Sequence, residues 1–496
     1  MTRSTAPRPP LLLTAALAAA CTVGPDYQLP DLSARTDAAW RAPVGDAVVG
    51  QRTELARWWQ GIGSPELSAF AERLVAQNLS LEAARQRIVA ARADRGIVDA
   101  GRLPQAGAGA GYVRAGTGDR GLNFQGPPAG KQVDVYSLSV TPVWELDLWG
   151  RVARLVEAAD AAIDVSVEDY RDAAVALLAQ LALAYVDAVT LHERIDVYDR
   201  TVALLRTTAE LAQSRFDAGT GTRFDVEQTR RDLAQTEGQL PALQQALAAA
   251  ENRIAVLLGE RPRDGLVAAA RPLRLPAAIG IGVPADLLSR RADVRRRERQ
   301  LAAAVAGIGA AEAERYPSVS IGGTFALRAR RLDTLFDGTD ALSYSFGPGI
   351  TVPLLTGGRV DSAVTARSAE AEAARLAFEA SVLEAVAEVE DAAVGVGRTR
   401  ERLAHLDNAV AAARRAVELA QQLHAAGSRG LQPVVDAQRA LVAIEDARVL
   451  AHRDALAQTI GLYRALGGGW EAVGLTAEAS APRRTEPAPA EAEEPR

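Results

Sequence analysis

Two periodicities alternate along the chain. From Arg151 to Asp217, and again from Arg359 to Ala425, proline is missing and glycine is scarce. Apolar residues there fall three or four apart: Leu177, Leu181, Tyr185, Ala188 and Leu191 in the first stretch, Leu376, Leu383, Val386 and Val389 in the second. That spacing predicts helix. At ~1.5 Å per residue, helices of about 67 residues could run ~100 Å. Charges are sown through both, so these helices are expected to stand in water rather than lipid. Each stops at a glycine, Gly219 or Gly427, the usual C-terminal breaker. A second helix is then expected to return, over about Asp225 to Leu258 and about Gln432 to Leu466.

The other periodicity is two. In Val135 to Trp144, Tyr136, Leu138, Val140 and Trp144 alternate with Ser137, Ser139 and Thr141. Val319, Ile321, Phe325 and Leu327 alternate with Ser318, Ser320, Gly322 and Thr324. In Ser343 to Leu354, Tyr344, Phe346, Ile350 and Val352 alternate with serine, glycine and threonine. Gln105 to Val113 is a weaker, glycine-rich example. One apolar face and one small polar face is a strand pattern, and each run is near the ~9–11 residues of a tilted membrane strand. The apolar face would meet lipid and the serine-glycine face would line water; a soluble sheet covered by helices is the other reading.

The two halves repeat. Gly150–Arg151 recurs at Gly358–Arg359 and Ala218–Gly219 at Ala426–Gly427, both 208 positions apart. Leu103–Pro104 has its counterpart in Tyr316–Pro317. Each half reads helix, proline, two strands, Gly-Arg, very long helix, glycine turn, returning helix. Four strands cannot close a membrane barrel, and open edges in lipid leave backbone groups unpaired. If the strands span a membrane, several chains must pool them, and three chains would supply twelve.

The ends add location. Arg3 and Arg8, the apolar stretch Leu11 to Ala20, and small residues before Cys21 form a secretory signal peptide over residues 1–20. Cys21 is the only cysteine, which excludes an intramolecular disulfide. It looks like the acylated cysteine of a bacterial lipobox, although Ala18 stands where leucine is usual; a plain secreted chain is the alternative. Residues 21–64 read as an irregular N-terminal extension, 65–258 and 285–474 as the two repeats, 259–284 as a proline- and glycine-rich linker, and 475–496 as a disordered tail.

Composition mostly excludes. A net charge of −6 spread along the chain gives no case for nucleic acid. His192, His405, His424 and His452 lack metal-ligand spacing, and neither a phosphate loop nor a nucleophile motif is present. No catalysis and no cofactor are expected. The run Arg290, Arg291, Arg295, Arg296, Arg297 and Arg299 is interleaved with Asp286, Asp293 and Glu298, and reads as a solvated helix face, with Asp293 as a helix cap.

Several segments together resemble the outer membrane factor family, the TolC-like channels, in its NodT-type lipoprotein branch. They are "CTVGPDY" at 21–27, "WELDLWGR" at 144–151, "RFDAGTGTRFDV" at 215–226, "LLSRRADVRRRE" at 287–298, "IGAAEAERYPSVSIGG" at 308–323, "VPLLTGGRV" at 352–360, "VVDAQRAL" at 434–441 and "LYRALGGGW" at 462–470. The resemblance covers nearly all of the mature chain. It implies a mainly α fold with a membrane β-barrel: a homotrimer whose four strands per chain form a 12-stranded barrel, continued by a helical periplasmic tunnel. It implies a passive efflux channel serving an inner-membrane RND transporter through a periplasmic adaptor, lipid-anchored in the bacterial outer membrane. The loops near 116–132 and 329–342 would face outside. Gly219, Thr220, Gly221, Gly427, Ser428 and Arg429 would form adaptor-contacting tips.

The resemblance also puts Asp436 of the "DAQ" motif at the periplasmic mouth, where a threefold carboxylate ring would help hold the gate. Nearby the sequence departs from the family: Gln432, followed by Pro433, replaces an apolar gate residue, and Leu423–His424 replaces an arginine-tyrosine pair that survives in the first repeat as Arg215–Phe216. His424 is therefore a candidate pH-sensitive gate residue. Competing readings are a channel for metal-ion efflux or type I protein secretion, and a periplasmic coiled-coil spacer.

Overall fold

The computed structural model describes residues 22–32, 40–41, 48–49, 54–116, 118, 131–268 and 273–474. The signal peptide, Cys21, the tail 475–496 and most of the loop 116–132 lie outside them. In chain order the elements are β1 (Val48–Val49), α1 (Pro65–Gln77), α2 (Leu79–Asp99), β2 (Gln105–Gly116), β3 (Gln132–Leu146), α3 (Arg151–Asp217), α4 (Arg223–Glu237), α5 (Leu240–Leu257), β4 (Ile279–Gly280), α6 (Asp286–Arg290), α7 (Ala292–Ala313), β5 (Ser318–Ala329), β6 (Leu342–Thr351), α8 (Arg359–Ala425) and α9 (Gln432–Ala465). They fall into two compact units.

One unit comprises the described residues up to Pro30, Ile88–Ser166 and Arg297–Phe378. Its centre is a four-stranded antiparallel sheet in the order β2-β3-β5-β6. The register sets small residues opposite small ones: Gly107 faces Thr141, Gly109 faces Ser139 and Gly111 faces Ser137. Each of those hydroxyls donates to the carbonyl of its glycine partner. On the other face Val140 pairs with Phe325 and Phe325 with Tyr344. Large side chains on that face are left open to the surroundings, Tyr344 at 73%, Phe346 at 64% and Ile350 at 69%. At Gly323 an added Cβ would come within 2.3 Å of the Ser345 carbonyl oxygen, so only glycine lets β5 and β6 approach there.

Below the sheet, aromatic tips are tied to backbone. The Trp144 indole N–H donates to the Arg102 carbonyl and that of Trp149 to the Pro317 carbonyl, and Trp149 stacks on Tyr316 with centroids 4.8 Å apart. Asp147 caps α3 by accepting from the Val152 and Ala153 amides. The strap 22–30 lies against α3 and α7. Buried Arg154 donates to the carbonyls of Val23 and Gly24 and pairs with Asp26 and Glu157. The Tyr27 hydroxyl donates to Glu298, and burial with that carboxylate beside it holds the phenol proton on well above the usual range.

The second unit comprises Asp31–Arg87, Val167–Arg296 and the described residues from Glu379 onward. α3 contains the one described helical stretch apolar enough to cross a membrane by composition, and most of that stretch is buried within the protein. Leu178, Leu181, Tyr185, Val186 and Val189 are its core face. Trp58 stacks on Tyr463 at 5.2 Å, closed over by Gly468 and Gly469. β1 pairs in parallel with β4, so the linker region carries a strand.

Two expectations are corrected. The returning helix read over Asp225 to Leu258 is two helices, α4 and α5, divided at Gly238 and Gln239. Pro241 has no N–H to give, and it sits in the first turn of α5, where that loss costs nothing. The arginine run is not a solvated face throughout. Arg291 is buried, pairs with Asp293 and Glu388, and donates to the Ala465 carbonyl. Arg295 reaches buried Glu168, and Arg296 reaches Asp169. Asp293 stands in the first turn of α7 as the partner of Arg291, whose guanidinium holds its carboxyl below the usual range against the opposing effect of burial.

Candidate functional site

The two helical hairpins end in turns of the same backbone. At the first, α3 stops with Gly219 at φ 71°, and the amides of Thr220 and Gly221 return to the Arg215 carbonyl. At the second, α8 stops with Gly427 at φ 71°, and both the amide and the hydroxyl of Ser428 return to the Leu423 carbonyl. A left-handed residue after the last helical turn is the glycine stop expected of both.

The helix starts that follow differ. Thr222 caps α4 with a full capping box: its hydroxyl accepts from the Asp225 amide while the Asp225 carboxylate accepts from the Thr222 amide. α9 begins after Leu431 with no side-chain cap and with proline in its first turn.

Side chains link the two turns. The Arg215 guanidinium donates to His424 Nε2 at 2.8 Å, and His424 Nδ1 lies 3.0 Å from the Arg429 carbonyl oxygen. A guanidinium can only donate, so Nε2 is the acceptor and Nδ1 carries the proton. A second chain of bonds reaches Asp436: Gln228 donates to the Gln432 side-chain oxygen, and the Gln432 amide donates to both Asp436 oxygens at 2.9 and 3.1 Å. Behind it, Arg439 lies 3.6 Å from Asp436 and bonds Asp232. Asp232 also takes a bond from Arg231 at 2.8 Å. The carboxylates differ in setting: the Asp232 side chain is 3% exposed and that of Asp436 55%. One is a buried brace and the other faces outward.

The sequence-predicted residues Gln432 and Asp436 are thus joined to each other, and His424 to Arg215. Gly219, Thr220, Gly221, Gly427, Ser428 and Arg429 form the turns themselves. Gln228, Asp232 and Arg439 are additions. Gln228 stands 208 positions before Asp436, the repeat offset itself, and Arg439 lies inside the same "VVDAQRAL" segment. Among the described residues no His/Cys/Asp/Glu group is placed to hold a metal ion.

A family model for outer membrane efflux proteins matches residues 71–260 and 283–468. The chain is 30% identical over 454 residues to the pyoverdine export outer membrane protein OpmQ of Pseudomonas putida, covering 89% of this chain and 94% of that one. It is 28% identical over 472 residues to nodulation protein T of Rhizobium leguminosarum bv. viciae, covering 93% and 92%. Among solved structures it superposes on the outer-membrane channel OprN with TM-score 0.81 and 31% identity, over 91% of this chain and all of the other. The chain belongs to the outer membrane efflux protein family: it is the outer-membrane channel component of an efflux system, and not an enzyme.

Proposed function

We propose that three copies of the chain pool their sheets into a twelve-stranded barrel, anchored in the bacterial outer membrane by an acylated Cys21, and that the assembly passively exports drugs or other small molecules. The repeats 65–258 and 285–474 each contribute two strands and one helical hairpin. The tips around Gly219–Gly221 and Gly427–Arg429 receive a periplasmic adaptor, which joins the channel to an inner-membrane RND transporter. Asp436, held by Gln432 and repeated three times, forms a carboxylate ring at the resting mouth.

The observation that carries this reading is the sheet. Among the described residues β2 and β6 are unpaired edges, and one face exposes Tyr344, Phe346 and Ile350. In water such a sheet invites aggregation, and in lipid its edges are tolerated only when closed by other strands. For the anchor, the support is local: the Val23 amide donates to the Trp149 carbonyl, and Thr22 sits against Gly150 where β3 passes into α3, so the residue after Cys21 lies at the foot of the membrane sheet. The relatives' names, pyoverdine export among them, favour small organic cargo.

In-cell photo-crosslinking from Thr220 and Ser428, with captured proteins identified by mass spectrometry, tests the docking. A periplasmic adaptor is expected from both tips, and its type tells drug, metal and protein export apart. Folded, acylated channel that captures no adaptor from either tip would remove the chain from a tripartite pump and favour a spacer.

A further inference from the structure

The small-residue face of the sheet is almost free of charge. Its rows run Gly111–Ser137–Arg328, Gly109–Ser139–Ala326–Ser343 and, nearer the helices, Glu145–Ser320–Gly349. Along the described strands only two charged residues stand on this face, Glu145 at the end next to α3 and Arg328 at the opposite end. They are not equivalent. Glu145 is neutralised by Arg151, which gives it three hydrogen bonds of 3.0 to 3.2 Å. Arg328 is exposed and among the described residues makes no side-chain hydrogen bond or ion pair. Its neighbours in the row are a serine and a glycine, too short to cover it. The nearby Asp333 is engaged by Arg331, and Asp134 by Tyr112 and Arg114 on the apolar face.

We propose that Arg328 is a specificity-determining residue for export: an uncompensated guanidinium on the lumen wall near the outer mouth, repeated in each subunit, that favours anionic solutes such as carboxylates, phosphates and ionised catechols. This rests on the barrel reading above, with the small polar face lining water. The physics is that of a narrow pore with low-dielectric walls, where a fixed charge acts over the whole cross-section. Guanidinium does not lose its proton in the working pH range, and its fork matches carboxylate and phosphate oxygens.

The test is the chloride-to-potassium permeability ratio of purified channels in planar bilayers under a salt gradient. Wild type is compared with Arg328→Lys, Arg328→Ala and Arg328→Glu, each first shown to run as a heat-resistant oligomer. Relative to wild type, the ratio should hold in the lysine variant, drop about threefold in the alanine variant and about tenfold in the glutamate variant. As a second readout, the thiol of Arg328→Cys maps access: modification by either an anionic or a cationic thiosulfonate reagent must reduce conductance. A ratio unchanged from wild type to Arg328→Glu, or a cysteine whose modification leaves conductance unaltered, overturns the proposal. Wild-type protein that forms no conducting pore sinks the barrel reading itself, a result plainly different from a pore of unaltered selectivity.

Discussion

The two helical hairpins share a plan and divide their rigidity differently. At the repeat offset Thr222 corresponds to Gly430, Asp225 to Pro433, Gly238 to Asp446 and Pro241 to Val449. The first hairpin is therefore fastened at its tip by the Thr222–Asp225 capping box and interrupted higher up, where α4 gives way to α5. The second is uncapped at its tip and continuous above it, α9 running unbroken from Gln432 to Ala465. Where the first breaks, the second is braced: Asp446 takes bonds of 2.7 and 3.2 Å from Arg194 on α3. The lesson is that a repeated architecture can move its loose point. In the second hairpin that point lies at the tip, next to Gln432 and Asp436.

The strongest way to break this contrast is to give the second hairpin the interruption of the first. Val449 is buried in mid-helix, so Val449→Pro removes an i→i−4 bond and clashes with the preceding turn, at a cost of about 3 kcal/mol or more. The thermal unfolding midpoint in detergent should fall well below that of wild type, with loss of helical circular dichroism. A variant that keeps both would mean the continuity of α9 is not what supports this hairpin.

Much of this was readable in the sequence. The long helices, the four strands and both glycine stops follow from periodicity and from Gly219 and Gly427, because helix and strand periods report burial directly. The break in the first returning helix was also written there, as Gly238 and Pro241, but apolar spacing continues on both sides and masks it. The capping box was visible as Thr222 three residues before Asp225. By contrast, the bond from Gln228 to Gln432 joins residues 204 apart, and no local pattern announces which helices will lie side by side. The arginine run misled for the same reason: whether Arg291 meets water or Glu388 is decided by tertiary packing.

The middle-sized effect comes from exchanging the tips. Gly430→Thr with Pro433→Asp would write the first tip's capping residues into the second, the box forming when α9 begins at Leu431 as α4 begins at Arg223. Capping of this kind contributes about 1 kcal/mol. Amide hydrogen exchange in the first turn of α9 should slow about fivefold, while exchange in α4 stays as it was. Unaltered exchange in α9 would show that its start is governed by something other than the missing cap.

The smallest effect on stability is expected at His424, and it bears on the proposed gate. Phe216 occupies the equivalent position in the first hairpin, so His424→Phe makes the tips alike and deletes the one side-chain bond from Arg215 to the second tip. A hydrogen bond between half-buried groups contributes on the order of 0.5–1.5 kcal/mol, so the variant should melt close to wild type. The consequence for conductance is sharper. With the side-chain link between the tips gone, single-channel conductance at one fixed pH should be higher in His424→Phe than in wild type. Equal conductance would leave the Arg215–His424 contact a passive fastening of the tips.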